Sequence, residues 1–492
     1  MQHRKVFCIW CAIIALSLLV AAARSEEPKT NDANSIDARP HILFVFTDDQ
    51  APWAVGASGN EQIKTPNMDR LFGEGAYLKN AFTVTPVCSP SRASLMTSRY
   101  GTELGITDWI KPGAEAELGL DPQTVTWPEL LQQAGYKTGL VGKWHLGVPD
   151  RFHPTKTGFD YFMGFRTGGT TPNNPTLEKD GQNQKFNGLT TDILTDHAIG
   201  FLKANHNSEE PMLLCVHYRA PHARWLPVAD EDWAPYDKLD PEIPNPDFPD
   251  LNTSRVKQMT REYMASVSGV DRNLGRLLTT LDELKLTDNT VVIFSSDHGY
   301  NMGHNGIWHK GNGHWVVNKP PAATKNIPRG QRPNMYDHSI RVPTAIRWPG
   351  KVKPETEITA TISNLDFYPT VCAIAGVKPP EGETIRGRDF SSLLKGAQVK
   401  DWNNDFYAEY STKHQSRTHM RMYRTPQWKL VRDFLNPERD ELFNLVDDPA
   451  ESNNLIASKD AQVQKTLSQL HQKIIEQMKA NDDPVLKLAL ER

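Results

Sequence analysis

His41-Ile-Leu-Phe-Val-Phe46 runs into Thr47-Asp48-Asp49, and Thr290-Val-Val-Ile-Phe294 runs into Ser295-Ser296-Asp297-His298. Two more stretches share this form. Thr138-Gly-Leu-Val141 precedes Gly142-Lys143-Trp144-His145, and Met212-Leu-Leu-Cys-Val216 precedes the segment from His217 to His222. Each is a short, nearly unbroken apolar run ending in polar or ionisable residues. Such runs suit strands covered on both faces of a mainly parallel sheet. Helical patterns lie between them, and that alternation predicts an α/β fold. Ligands of open α/β sheets bind beyond the carboxyl ends of the strands, so all four polar clusters are expected at one edge.

The helices are legible from their spacing. Thr65-Pro66 reads as an N-cap followed by proline in the first turn, with Met68, Leu71 and Phe72 on one face. Tyr263, Val267, Val270, Leu274, Leu277, Leu281 and Leu284 form a long apolar stripe, read as core packing without a chemical role. Residues 165–190 and 223–252 are Gly/Asn- and Pro/Asp-rich and read as loops, and 314–334 reads as an extended loop facing a substrate. After Gly376 short strands such as Trp428-Lys-Leu-Val431 precede a final amphipathic helix carrying Val463, Leu467, Leu470, Ile474 and Met478. The expected division is therefore a catalytic domain over 40–376 and a smaller subdomain over 377–492.

The chain has 492 residues, with 55 Lys+Arg against 59 Asp+Glu, so it lacks the basic surplus of a general nucleic-acid binder. Its start reads as a secretory signal over residues 1–23: His3, Arg4 and Lys5, an apolar run from Val6 to Val20, then Ala21-Ala22-Ala23. Residues 24–39 form a polar leader. Export to the periplasm or medium is expected, with no membrane span once the signal is cleaved. Cys8 and Cys11 would leave with the signal. Cys215 and Cys372 sit in apolar surroundings, whereas Cys88 lies among Pro, Ser and Arg and requires another reason.

Cys88-Ser89-Pro90-Ser91-Arg92 precedes a helical pattern, which puts residue 88 near a helix N-terminus, where amide groups and the dipole favour an anion. Arg92 could grip a tetrahedral oxyanion bidentately. Asp48, Asp49 and Asp297, converging at one sheet edge, repel unless a cation compensates. Lys143 and His145 would point the same way if the chain stays extended. His298, His304, His309 and His314 could instead form a zinc cluster, but the intervening glycines give them no fixed helical face.

The pentapeptide matches the Cys-x-Pro-Ser-Arg signature of type I sulfatases, and from about His41 to Leu455 the chain resembles that family of the alkaline phosphatase superfamily. Gly142-Lys143-Trp144-His145-Leu146-Gly147, Pro221-His222 and Lys310 match further family positions. The resemblance implies an alkaline-phosphatase-like, mainly parallel sheet flanked by helices, with a C-terminal α+β subdomain containing an antiparallel sheet. It implies that a maturation enzyme oxidises Cys88 to formylglycine, and that Asp48, Asp49, Asp297, His298 and residue 88 hold a divalent cation. The oxygen-rich set favours Ca²⁺, with Mg²⁺ as the alternative. Many sulfatases carry Asn where His298 stands, but a neutral imidazole is still a competent ligand. Arg92, Lys143 and Lys310 would neutralise sulfuryl oxygens, His145 would manage the nucleophile's proton, and His222 would support the leaving oxygen. His217 is read as structural. The implied reaction is sulfate-ester hydrolysis on a sulfated small molecule or glycan. Its rivals are a phosphodiesterase or phosphonate hydrolase on the same fold and a non-catalytic sulfated-glycan binding protein.

Overall fold

The computed structural model describes residues 39–491. The expected signal and all of the expected leader except Arg39 lie outside the described residues. Ten strands form the main sheet: β1 (His41–Thr47), β2 (Ala76–Phe82), β3 (Lys137–Lys143), β4 (Tyr161–Phe165), β5 (Thr176–Lys179), β6 (Gln182–Lys185), β7 (Met212–His217), β8 (Thr290–Ser296) and, later in the chain, Ala345–Arg347 and Thr356–Ser363. The four apolar runs are the neighbouring central strands, in the order β8-β1-β7-β3, all parallel. The sheet is mixed at its margins, where Ala345–Arg347 runs antiparallel to both β2 and β8, and β5 and β6 form an antiparallel hairpin.

Side-chain alternation splits the core into two layers. Leu43 and Val45 of β1 join one buried cluster with Leu214 and Val216 of β7, whereas Ile42, Phe44 and Phe46 join the other with Leu213 and Cys215. The first layer is covered by α1 (Pro66–Glu74), the helix Thr190–Asn205 and the 31-residue helix Thr253–Glu283. The opposite layer is covered by Cys88–Thr97, Trp127–Gln133 and Phe367–Ala375. Thr65 does precede α1, but its hydroxyl donates to Asp69 and accepts from Gly56 without capping the helix. Cys215 and Cys372 are buried.

Three segments read as loops carry more structure than expected. Residues 165–190 contain the β5–β6 hairpin, and 223–252 contain a helical turn at Asp230–Trp233. The histidine-rich segment is no open loop: β9 (Asn301–Met302), β10 (Ile307–His309), β11 (Asn312–Trp315) and β12 (Gln331–Pro333) form a small antiparallel sheet. Near the C-terminus, Phe406–Tyr410, Met420–Arg424, Trp428–Asp433 and Glu441–Asn444 form the antiparallel sheet, with the helix Ala461–Ala480 packed on it. Among the described residues no helix is long and apolar enough to cross a membrane.

Candidate active site

The parallel register brings the polar clusters together. Thr47 pairs with Ser296, so Asp48-Asp49 and Asp297-His298 leave adjacent strands at the same level. Phe46 pairs with His217, which pairs with Gly142, placing Lys143 one residue beyond that line. Gly142 has φ 118°, and a Cβ there would lie 2.0 Å from the His217 carbonyl oxygen, so only glycine fits. Asp49, His145 and His309 are also left-handed, with φ of 71°, 59° and 83°. Such backbone in non-glycine residues costs free energy and is concentrated at functional sites.

Six ionisable side chains meet with almost no solvent contact. Lys143 Nζ lies 2.6 Å from Asp48 Oδ2, and Lys310 Nζ lies 2.7 Å from Asp49 Oδ1. Arg92 Nε donates to Asp297 Oδ2 at 3.0 Å, while Asp297 Oδ1 accepts from the Asp49 amide at 3.2 Å. Burial alone would raise Asp48 and Asp49, but the facing cations, led by Lys143 and Lys310 respectively, hold both below the usual carboxylate range. Asp297 moves the other way: burial and the nearby Asp48 charge raise it. Burial likewise opposes ionisation of Cys88, yet the nearby charges of Lys143 and Lys310 bring its thiol below the ordinary value.

Asp48, Asp49, Asp297 and His298 are the group among the described residues that could hold a metal ion, with ligand atoms all within 4.8 Å of one another. Asp48 Oδ1, Asp49 Oδ2 and His298 Nε2 are buried without hydrogen-bond partners. Buried polar atoms are rarely left so. Oxygen-rich, acidic and unsatisfied, this set fits a hard divalent cation. The alternative histidine cluster is not formed. His298 belongs to the acidic group, His304 stacks on His338 with ring centres 3.7 Å apart, and His309 and His314 lie in the small sheet.

Cys88 opens its helix, as expected, and is buried. Its neighbours act as staples: Ser89 Oγ accepts from the Ile110 amide at 3.0 Å, and Ser91 Oγ donates to the Asp297 carbonyl. One side chain is only partly free and one orientation differs from expectation. The Arg92 guanidinium is partly engaged within the protein: Nε donates to Asp297 and Nη1 to the Lys143 carbonyl at 3.2 Å, while Nη2, 3.0 Å from Asp297 Oδ2, is buried without a hydrogen-bond partner. The extended path through Lys143 and His145 is broken by the left-handed turn at His145, whose Nε2 bonds the Ile110 carbonyl at 3.0 Å while Nδ1 is buried and unpartnered. His217 is buried beside the Lys143 carbonyl and Arg92. His222 Nδ1 donates to the Ala223 carbonyl at 2.6 Å, and burial pushes its imidazole down to about 4. His222 and Lys310 lie within reach of each other's charge and of Asp49.

The sequence reading missed several supporting groups. Tyr263 is more than core: its hydroxyl donates to the Asp49 carbonyl at 2.7 Å and accepts from the Ala51 amide at 3.2 Å. Asn364 donates to the Ser91 carbonyl at 3.0 Å. Arg219, 5% exposed, donates to the Thr170 carbonyl and feels the charges of Asp48 and Asp49. Tyr263 carried no distinguishing signal within its stripe, and Asn364 stands in none of the motifs read from the sequence.

Comparison with known proteins is consistent with this geometry. The family model described as sulfatase matches residues 40–377, and the model for the C-terminal region of N-sulphoglucosamine sulphohydrolase matches 331–480. An N-acetylglucosamine-6-O-sulfatase of Bacteroides thetaiotaomicron is 29% identical, the alignment covering 94% of this chain and 91% of that one. An ulvan-active sulfatase of Formosa agariphila is 28% identical over 93% and 86% of the two chains. A solved structure in complex with its substrate D-glucosamine-2-N,6-O-disulfate superposes with a TM-score of 0.77 at 26% identity, covering 91% of this chain and 99% of the other.

Proposed function

Because the chain belongs to the sulfatase family, within the alkaline phosphatase superfamily, and is a sulfuric ester hydrolase, we propose that it cleaves sulfate esters of carbohydrates using formylglycine made from Cys88 and a bound divalent cation. The observation that carries this reading is the buried charge balance. Asp48, Asp49 and Asp297 face Arg92, Lys143 and Lys310, three against three. A divalent cation added to that set leaves net positive charge, which an anionic tetrahedral ester complements.

Asp48, Asp49, Asp297, His298 and residue 88 would hold the cation, with Ca²⁺ favoured over Mg²⁺ by the oxygen-rich set. When present, the cation supplies Lewis-acid charge for the sulfuryl oxygens, and hydrated formylglycine supplies a hydroxyl nucleophile with a built-in route to release sulfate. Lys143 and Lys310 carry fixed positive charge at the same sheet edge. Arg92 orients Asp297 and contributes its charge through that contact. His145 takes up a proton at Nδ1, its ring being anchored through Nε2. With Nδ1 engaged on Ala223, His222 can give a proton only from Nε2. Burial opposes the imidazolium, so the ester's negative charge has to favour it before proton transfer to the leaving oxygen.

Export through the 1–23 signal, dependence on a formylglycine-generating maturation enzyme, and a catalytic body at 40–376 with a subdomain at 377–492 complete the proposal. The test is mass spectrometry of the tryptic peptide Asn80 to Arg92 from active protein. The peptide should be partly lighter than encoded and should react with carbonyl reagents. An active preparation holding only alkylatable Cys88 overturns the mechanism, and failure to hydrolyse both aryl and sugar sulfates overturns the activity.

A further inference from the structure

Beside Lys310 the chain builds a wall that the hydrolytic chemistry leaves unused. Trp308 of β10 pairs with His314 of β11, and the ring centres of Trp308, His309 and His314 lie 5.4 Å apart pairwise. All three rings are half-buried. His309 is anchored twice: its carbonyl accepts from Asn301 Nδ2 at 2.8 Å, and its Nδ1 donates to Asn312 Oδ1 at 2.9 Å. Buried Trp225 supports Trp308 edge-on at 6.4 Å. The wall adjoins the reaction centre through its own backbone, since the residue after His309 is Lys310, whose ammonium sits on Asp49.

Above this wall stands Arg255, exposed in the first turn of the helix Thr253–Glu283. Its guanidinium carbon lies 5.7 Å from the Trp308 ring centre, and its charge reaches His314. No carboxylate of the described residues forms an ion pair with it. Flat aromatic and imidazole faces on rigid strands suit the apolar face of a sugar ring. An arginine held over tryptophan without an acidic partner suits a planar or tetrahedral anion.

We propose that Trp308, His309, His314 and Arg255 form a subsite for the sugar adjoining the one that carries the scissile sulfate, and that this neighbour bears an anionic group. The substrate would then be an acidic oligosaccharide instead of an isolated sulfated sugar, a conclusion that rests on the sulfatase reading. Carboxylate and sulfate share the chemistry Arg255 recognises, so both belong in the test.

The experiment compares kcat/KM on 4-nitrophenyl sulfate with that on three matched sulfated disaccharides whose second sugar is neutral, a uronate or itself sulfated. The wild type should prefer the acidic neighbours, and the preference should shrink at high salt. Its order between uronate and sulfate identifies the anion. Arg255→Ala should reduce the acidic-over-neutral preference about tenfold, as expected for loss of one charge-assisted contact, and Arg255→Lys should restore part of it. Trp308→Ala should lower the ratio of disaccharide to aryl-sulfate turnover by a similar factor. If the Arg255 variants leave the acidic preference unchanged while aryl sulfate is cleaved, the subsite is refuted and the sulfatase reading stands. A wild type that cleaves none of the four refutes both. Arg255 is exposed, so the test does not depend on the Trp308 variant folding.

Discussion

Replacing Tyr263 with Phe isolates one hydroxyl beneath the acidic cluster. That hydroxyl donates to the carbonyl of Asp49 at 2.7 Å and accepts from the amide of Ala51 at 3.2 Å, and both groups are buried. Phe keeps the ring and its near-parallel stack on Tyr300, with centres 5.3 Å apart at 14°, so no ring-sized cavity opens. The cost is the two backbone groups left without partners. Each unsatisfied buried group costs about 1–3 kcal/mol, and the two share one hydroxyl, so the total should fall well below the sum of the maxima. Asp49 is also held in the left-handed region at φ 71°, a conformation that needs external support. Loosening it should displace its carboxylate from Lys310 and from the proposed cation. Losing the outer partner of a metal ligand typically lowers affinity or activity about 10–100-fold. The assay is steady-state hydrolysis of an aryl sulfate across a Ca²⁺ titration, beside thermal unfolding of both proteins. Tyr263→Phe should need more Ca²⁺ for half-maximal rate while remaining folded at the assay temperature. Wild-type Ca²⁺ dependence in a measurably destabilised variant would show that Tyr263 supports the core alone.

Three further outcomes follow from the same geometry. Lys143→Ala should lose about 3–5 kcal/mol of stability along with turnover, because Asp48 is left buried without its main countercharge; unfolding at the wild-type midpoint would show the pair to be dispensable for folding. His222→Ala should slow sugar-sulfate hydrolysis about 100-fold or more but cost less on an aryl sulfate, whose oxide leaves without a proton, and equal losses would remove His222 from the leaving oxygen. Burial pushes Glu409 up to about 7 from 4.5, so the folded state holds its proton more tightly and stability falls as pH rises through that window. Glu409→Gln should abolish on the order of 3 kcal/mol of that pH dependence in denaturant titrations at pH 4.5 and 7.5, and an unchanged slope would refute the shift.

What was legible follows the length of each signal. β1 and β8 were readable because the apolar runs Ile42–Phe46 and Val291–Phe294 give way to polar residues and then acids, and parallel pairing of Thr47 with Ser296 brings those acids together. The turn at His145 was not, since a left-handed φ in a non-glycine residue leaves no mark in composition. Arg92 was read as a residue that could grip an oxyanion, and no spacing rule shows that Asp297, 205 positions away, accepts from its Nε. β9 to β12 are two to four residues long, too short for a period to register. The β5–β6 hairpin did carry a readable signal: Asp180 and Gly181 are both left-handed, the turn chemistry that joins two antiparallel strands.

These differences separate two kinds of structure around one centre. The groups assigned to chemistry lie at the ends of the central strands, on the helix opened by Cys88, and immediately after β10, where burial fixes their positions. Such a site tolerates little variation: each carboxylate has a cation, and removing either member leaves an uncompensated buried charge. Recognition of the rest of the substrate is under no such constraint. The half-buried rings of β10 and β11 and the exposed Arg255 can change without unbalancing the six charges beneath them. Tightly constrained chemistry and adaptable specificity can therefore meet at Lys310, which serves the carboxylate cluster through its ammonium and carries the aromatic wall through its backbone.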